Sequence, residues 1–288
     1  MIRRPPRSTP KPSSAASDVY KRQQNIPNPF SGGLNACQLS EIDLNMDGTK
    51  DLFVFDRSGN RILPFINIGF NNTISYNYEP IYINSFPHLS DWVLLVDYNG
   101  DVKEDLFGYN GGKVKVYRNT SSSTQLEFTL FTNNIITDYS GSPFQLYVSR
   151  VDIPAITDID NDGDIDILTF QSLGGYIEFH ENLSMDLYGH SDSLIFVMSD
   201  PCWGDVYEGL NTYTLNDCNN LPSSPRHTGS SILAIDIDND TDKDLILGDV
   251  SYNNLNLLIN GGSSSNSLIS TVCLLYTSDA ADEGLGVD

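Results

Sequence analysis

The acidic segment Asp158-Ile-Asp160-Asn-Asp162-Gly-Asp-Ile-Asp166-Ile decides the fold, and the chain contains four segments of this kind. Carboxylates stand at positions 1, 3, 5 and 9, a glycine stands at position 6, and an apolar run follows. The frame recurs from Asp43 to Asp51, from Asp97 to Asp105 and from Asp236 to Asp244. We name these segments loops 1 to 4 in chain order, so the quoted segment is loop 3. Four such loops, each leading into an apolar strand, predict repeated copies of one β-sheet unit.

An asparagine forms a second marker that repeats in step with the loops. Asn67, Asn119, Asn182 and Asn260 lie 16, 14, 16 and 16 residues after the last aspartate of their loops. The repeat unit therefore includes a hairpin beyond the loop. The first aspartates of successive loops are 54, 61 and 78 residues apart. This variation falls in the outer strands and linkers, where insertions are tolerated.

A unit of about four short strands, repeated in this way, predicts an all-β propeller. We expect about four four-stranded blades, at about residues 34–90, 91–150, 151–225 and 226–265, the last truncated after its third strand. A closed propeller has typically four to eight blades. We therefore expect a partial, open propeller that belongs to a larger ring.

The charge of the chain excludes some classes of partner. It has 16 Lys and Arg against 38 Asp and Glu, a formal net charge of −22. Nucleic acids and anionic membrane surfaces need a basic face, so neither is expected as a partner. The sequence has no apolar run of about 18 residues or more, so no membrane insertion is predicted.

The cysteines contain no CxxC pair, which argues against a zinc or thioredoxin-type site. Cys202 and Cys218 are close enough in sequence to close one loop. In an oxidising compartment such a disulfide stabilises a fold by about 3 kcal/mol on a chain-entropy model. The alternative is two separate buried thiols.

The two ends of the chain differ from the repeats. Residues 1–23 are basic and rich in Pro and Ser, and residues 272–288 are equally unlike the blades. Both resemble translated sequencing-adapter runs, and the alternative is natural disordered tails. We expect the propeller fragment to occupy residues 24–271, with no signal sequence in the N-terminal run because that run lacks an apolar stretch.

On these residues the chain resembles the FG-GAP/VCBS repeats, the calcium-loop blades of integrin α-subunit propellers and of many bacterial secreted proteins. The resemblance covers residues 34–261, and loops 1 and 3 match the full family frame. Val102 and Thr241 depart from its glycine at position 6. The resemblance implies a seven-bladed parent, calcium as cofactor, and a secreted or cell-surface location.

Calcium takes six to eight oxygen ligands, and a loop curling around the ion presents alternate side chains inward. In the family, calcium is held by the side chains at positions 1, 3, 5 and 9 and by the carbonyl of position 7. Carried onto this chain, the ligands are Asp43, Asn45, Asp47, Thr49 and Asp51; Asp97, Asn99, Asp101, Lys103 and Asp105; Asp158, Asp160, Asp162, Asp164 and Asp166; and Asp236, Asp238, Asp240, Asp242 and Asp244.

Two alternatives compete with this interpretation of the loops. An EF-hand carries Glu at position 12 and lies between helices, whereas position 12 here is Val54, Gly108, Thr169 or Leu247. The other alternative is an acidic turn that holds no metal. Loops 3 and 1 are expected to be the best sites. Loop 2 is expected to be the weakest, because its residue at position 6, Val102, is β-branched and disfavours positive φ. Repulsion among the carboxylates is expected to raise some of their pKa values.

No catalytic motif is present, and the pair His180-Glu181 is interpreted as solvated rather than catalytic. The expected function is a bacterial calcium-binding module for adhesion or for interaction with a protein or carbohydrate ligand, completed by the remaining blades of the parent propeller. Calcium is expected to be structural, and no enzyme activity is expected. The alternatives are a propeller-type polysaccharide lyase or hydrolase fragment and a structural spacer of a large surface protein.

Overall fold

The structure is a computed structural model that describes residues 28, 31–32, 34–70, 73–209, 212–216, 218, 230–249 and 255–275. The chain divides into two compact units, Met1–Gly33 and Leu34–Asp288. All the strands described below belong to the second unit. The predicted tail at residues 1–23 lies outside the described residues, as do residues 276–288.

Four antiparallel sheets form the blades. Blade 1 consists of β1 (Cys37–Ile42), β2 (Asp51–Asp56), β3 (Arg61–Asn67) and β4 (Tyr76–Tyr78). Blade 2 consists of β5 (Val93–Val96), β6 (Asp105–Tyr109), β7 (Val114–Asn119) and β8 (Phe128–Thr132). Blade 3 contains β11 (Ala155–Thr157), β12 (Asp166–Phe170), β13 (Ile177–Asn182) and β14 (Phe196–Asp200). Blade 4 consists of β17 (Ser230–Ile235), β18 (Asp244–Asp249), β19 (Leu255–Asn260) and β20 (Ile269–Leu275).

Shorter elements fill the connections. The strands β9 (Ile136–Asp138) and β10 (Pro143–Gln145) form a hairpin that extends blade 3 to six strands. The strands β15 (Val206–Glu208) and β16 (Tyr213–Leu215) form a separate two-stranded sheet. Helix α1 spans Ser184–Tyr188, and short 3₁₀ helices span Pro80–Ser85 and Trp203–Asp205.

The blades meet through their first strands. The backbone N–H of Val93 in β5 donates to Gln38 Oε1 in β1 at 3.0 Å, and the N–H of Ile232 in β17 donates to the carbonyl of Ile153, just before β11, at 2.9 Å. Apolar clusters fill the spaces between successive blades. The predicted all-β, open propeller of four blades is confirmed.

The second strands carry much of the core. Phe53, Val54 and Phe55 in β2 are all buried, because one blade face packs on the next blade and the other face is covered by side chains of the same sheet. Such a strand is apolar on both faces, which is why the run after each acidic loop does not alternate.

The prediction that the last blade ends after its third strand is wrong. β20 pairs along β19 from Leu255↔Leu275 to Asn260↔Ile269 and completes a four-stranded blade. The strand also continues past residue 272, where the sequence places the start of the foreign tail. The backbone N–H and C=O groups on the outer edge of β19 need hydrogen-bond partners. The extended segment β20, which follows a tight turn, supplies them.

Two further details concern the outer strands. The outer strand of blade 1 is short and covers only Tyr76–Tyr78, because Pro80 begins a 3₁₀ helix. The hairpin β9–β10 lies within the range assigned to blade 2, yet β9 pairs parallel with β14 of blade 3.

Cys202 and Cys218 form a disulfide with their Cα atoms 6.1 Å apart, so the alternative of two separate thiols is wrong. Cys37 and Cys273 are exposed free cysteines. Among the described residues, no helix has the length and apolar character needed to cross a membrane.

Candidate metal centres

Each acidic loop connects the first and second strands of its blade: β1 to β2, β5 to β6, β11 to β12 and β17 to β18. The last aspartate of every loop is also the first residue of the second strand. Equivalent connections of a propeller lie at the same end of every blade. The four loops therefore share one face of the molecule.

Side chains within each loop bind its own backbone and curl it. In loop 3, Asp158 Oδ2 accepts a hydrogen bond from the N–H of Gly163 at 3.2 Å. Asp160 Oδ1 accepts from the N–H of Asp162 at 3.1 Å, and Asp162 Oδ1 accepts from the N–H of Asp164 at 2.9 Å. Loops 1 and 2 repeat this ladder, and loop 4 repeats its first and last steps. In loops 3 and 4 the curl places the carboxylates of positions 1 and 3 close to that of position 9.

Position 6 has a left-handed backbone in all four loops. The φ angle is +84° at Gly48, +69° at Val102, +101° at Gly163 and +82° at Thr241. Val102 and Thr241 therefore adopt a conformation that costs an L residue about 1–2 kcal/mol relative to glycine. Position 4, which the sequence reading did not single out, is also left-handed in every loop: Met46, Gly100, Asn161 and Asn239.

The aspartate at position 9 is buried and fixed from two sides. In loop 3, Asp166 Oδ2 accepts from the N–H of Ile159, and Asp166 Oδ1 accepts from the N–H of Asn182, both at 2.9 Å. The same pair of bonds occurs in the other three loops. This geometry explains the repeated asparagine: its backbone N–H orients the last carboxylate of the loop.

The structure brings together the carboxylate oxygens of positions 1, 3 and 9 in two loops. Ligand oxygens of Asp158, Asp160 and Asp166 lie within 4.8 Å of one another, as do those of Asp236, Asp238 and Asp244. Loops 1 and 2 have Asn45 and Asn99 at position 3, so each offers an amide oxygen there in place of a carboxylate.

The donors of loop 3 fit a calcium ion. Calcium prefers oxygen ligands. In loop 3, carboxylates stand at positions 1, 3, 5 and 9. Asp162 Oδ2 and Asp164 Oδ1 are buried and have no hydrogen-bond donor among the described residues. In loop 4, Asp242 Oδ1 is in the same situation. Buried carboxylate oxygens without a donor are costly unless a cation compensates them.

The pKa values follow this crowding. Burial is the first cause of a raised pKa at Asp166, to about 8, and at Asp105, to about 7. Burial likewise raises the pKa of Asp164 to about 7 and that of Asp160 to about 6. Neighbouring carboxylates add to each shift. The predicted rise in pKa is present, but its main cause is the loss of hydration on burial. The predicted repulsion between carboxylates is the smaller cause.

His180 departs from the sequence reading. Its side chain is fully buried rather than solvated. Its Nδ1 lies 3.1 Å from Thr137 Oγ1 in β9, and its Nε2 lies 3.5 Å from Glu178 Oε2. The neighbour in space is thus Glu178, two residues earlier on the same face of β13, and not Glu181.

Comparison with known families adds one finding to this geometry. A family model described as FG-GAP-like repeat matches residues 97–169, a span that begins with loop 2 and contains loop 3. Residues 97–169 of this chain are an FG-GAP-like repeat. This match and the four equivalent blades confirm the resemblance to FG-GAP repeats. No match is found among curated proteins.

Among solved structures, one similar chain comes from work described as the structural basis of specific recognition of non-reducing terminal N-acetylglucosamine by an Agrocybe aegerita lectin. The two chains share 16% identity with a TM-score of 0.41, over 90% of this chain. The match covers 58% of the length of that structure.

Proposed function

We propose that this chain is a calcium-binding propeller module of a secreted or cell-surface bacterial protein, that it serves adhesion or interaction with a protein or carbohydrate ligand, and that calcium is structural. The observation that carries the proposal is the set of four equivalent loops. In each, a buried aspartate at position 9 accepts hydrogen bonds from two backbone N–H groups. In loops 3 and 4 its carboxylate lies close to those of positions 1 and 3.

Calcium binding has a clear structural consequence in such a loop. Without a cation, several carboxylates share a partly buried space, which favours protonation or opening of the loop. An ion that binds only the folded chain stabilises it by mass action, by about 2.7 kcal/mol when its concentration is one hundred times the dissociation constant. The loops then hold the first two strands of each blade in register.

The extracellular part of the proposal is supported by the disulfide between Cys202 and Cys218. Disulfides persist in oxidising compartments and are rare in reducing ones. Enzyme activity is not part of the proposal. Turnover of an acidic polysaccharide by the purified chain would favour the lyase or hydrolase alternative instead.

Thermal melts with saturating calcium and with excess chelator test the structural role. We expect the midpoint to rise by about 5 °C or more with calcium. The variant Asp166→Asn should lose part of this rise, whereas the control Asp186→Asn, an exposed carboxylate on helix α1, should keep it. Equal midpoints in calcium and chelator for the unmodified chain would refute the proposal.

A further inference from the structure

The hairpin β9–β10 is an addition to the propeller frame. It turns through Ser140 and Gly141, whose φ angles are +52° and +89°, and β9 pairs parallel with β14 at the outer edge of blade 3. The other three blades have no counterpart among their described residues. The hairpin covers the outer edge of blade 3 and forms the wall of a groove.

The groove consists of two adjoining cavities of about 380 Å³ and 130 Å³ that share Tyr147, Gln171 and Ser172. The larger cavity falls within the size range of small-molecule sites. Its lining combines aromatic and apolar side chains with hydrogen-bonding groups: Tyr139, Phe144, Gln145, Tyr147, Gln171, Ser172, Leu173 and Glu178.

The aromatic rings of the groove are exposed and partly fixed. Phe144 is 62% exposed and Tyr147 is 41% exposed. The Tyr147 ring packs against Gly112, where a Cβ atom would come within 3.1 Å of the ring. One side of this ring is therefore held by backbone, so its orientation is set before any ligand arrives. Exposed, held rings provide flat apolar contact area at a small cost in side-chain entropy.

The polar groups are arranged beside these rings. Glu178 is largely buried, with 14% of its side chain exposed, and His180 lies behind it at 3.5 Å. Burial, and then the charge of Glu178, raise the pKa of Tyr139 to about 12, so the phenol keeps its proton and remains a donor. The amides of Gln145 and Gln171 make no hydrogen bond to other side chains in the described part of the chain and are available to a ligand.

We propose that this groove binds a neutral oligosaccharide. A pyranose ring presents an apolar C–H face, which packs on an aromatic ring, and hydroxyl groups at its rim, which pair with carboxylate, amide and hydroxyl side chains. The groove supplies both kinds of contact. The larger cavity holds one sugar unit, and the smaller one continues past Tyr147 toward a second.

Charge and backbone geometry argue against other occupants. The lining contains Glu178 and Asp152 and no Lys or Arg, and the whole chain carries a net charge of −22, so an anionic glycan is repelled. A peptide that added a strand to β10 would meet Pro143, which has no N–H to donate. The strand β10 is also only three residues long.

The groove lies at the far end of blade 3 from the acidic loops. Loop 3 precedes β12, and the turn containing Gln171 and Ser172 follows it. Five extended residues separate the two ends by about 16 Å. The inference rests on the proposed role as an interaction module, but it does not depend on the metal: a chain that fails to bind calcium could still bind sugar, and the reverse.

The test is binding of the full chain, in calcium, to an array of neutral oligosaccharides, followed by titration calorimetry of any hit. The panel contains cello-, xylo-, manno- and N-acetylchito-hexaose, with polygalacturonate as the anionic comparison. Phe144→Ala and Tyr147→Ala are the groove variants. Phe70→Ala and Tyr188→Ala are the matched controls, since both are exposed aromatic residues outside the groove.

We expect at least one neutral hexaose to bind with a dissociation constant below about 1 mM, a value typical of a weak site near −4 kcal/mol. Each groove variant should weaken that binding tenfold or more, and Glu178→Gln should weaken it as well, while both controls remain within twofold. Three results would overturn the inference: no binding to any neutral hexaose, unchanged binding by the groove variants, or preference for polygalacturonate. Thermal melts in calcium and chelator, run on the same samples, report separately on the proposed metal role.

Discussion

At the scale of single residues, two of the acidic loops carry at position 6 a side chain that disfavours the backbone conformation found there. The loop needs a left-handed residue there, and two of the four loops place a β-branched side chain in that conformation: Val102 with φ +69° and Thr241 with φ +82°. Val102 is also 77% exposed, so little packing compensates the strain. These two loops therefore fold at a cost that loops 1 and 3 avoid.

Val102→Gly and Thr241→Gly should therefore each stabilise the chain, by about 1 kcal/mol, since glycine adopts positive φ freely. The effect is measured as unfolding free energy from denaturant titrations in calcium. Ile74→Gly is the control: Ile74 is 88% exposed and has no positive φ, so this change should be neutral or destabilising. A loss of stability in both loop variants would contradict the strain argument.

The sequence predicts part of this residue-scale picture. The departure from glycine at Val102 and Thr241 is visible in the repeat, and the structure confirms the left-handed backbone there. Position 4 has the same backbone but carries Met, Gly, Asn and Asn in the four loops, so no residue type marks it. The burial of His180 depends on a hairpin about 40 residues earlier in the chain, and no local pattern around His180 reports it.

At the scale of elements, the repeated asparagine is a hub that joins three segments of each blade. In blade 2, the N–H of Asn119 donates to Asp105 Oδ1 at 2.7 Å, and its Nδ2 donates to the carbonyl of Glu104 at 3.1 Å. Its Oδ1 accepts from the N–H of Ser121 at 3.1 Å. Asn119 is 4% exposed, so water replaces none of these partners easily.

Asn119→Ala should destabilise the chain by about 2–3 kcal/mol, because the carbonyl of Glu104 and the N–H of Ser121 lose their partner in a buried setting. The measurement is the denaturation midpoint in calcium. Asn133→Ala, on an exposed turn, serves as the control and should change the unfolding free energy by less than about 0.5 kcal/mol. Similar losses in both variants would argue against the hub.

The sequence predicts which segments form strands more reliably than it predicts which strands pair with each other. The acidic loops and the apolar runs after them predict the first three strands of each blade. The sequence places the residues of the hairpin β9–β10 in blade 2 and ends blade 4 before the strand β20. Both predictions fail because the partners β14 and β19 are fixed by long-range packing. Period-two alternation indicates a strand but does not specify the neighbouring strand.

At the scale of the whole molecule, the loops of neighbouring blades are joined to each other. Lys50 of loop 1 forms an ion pair with Glu104 of loop 2. Asn161 Nδ2 of loop 3 donates to the carbonyl of Thr241 in loop 4 at 2.6 Å. These contacts connect one candidate metal centre to the next across the blade boundary.

Asn161→Gly tests the second of these links, because glycine keeps the left-handed backbone and removes only the amide. We expect a loss of about 1 kcal/mol of stability and weaker calcium binding at loop 4. Asn239→Gly, at the equivalent position of loop 4 with φ +65°, is the control and should be neutral or slightly stabilising. The link is unimportant if calorimetry and denaturation give equal results for the two variants.

Blade 4 leaves an apolar sheet face open. Leu233 and Ile235 of β17 are 54% and 43% exposed, and Ile246 and Leu257 on the same face are half-buried. The opposite face packs against blade 3. A propeller blade buries both faces against its neighbours. The open face therefore suits a further blade, in agreement with the proposal that the parent propeller contains more blades.

The most direct test of calcium as the organising ion is the number of calcium ions that each chain retains in equilibrium dialysis. The unmodified chain should retain up to four, one for each acidic loop. A variant with Asp158→Asn, Asp160→Asn and Asp166→Asn should retain one fewer, while Asp186→Asn should retain the full number. If the unmodified chain retains no calcium, or if the triple variant retains as many ions as the unmodified chain, the metal centres described above are contradicted.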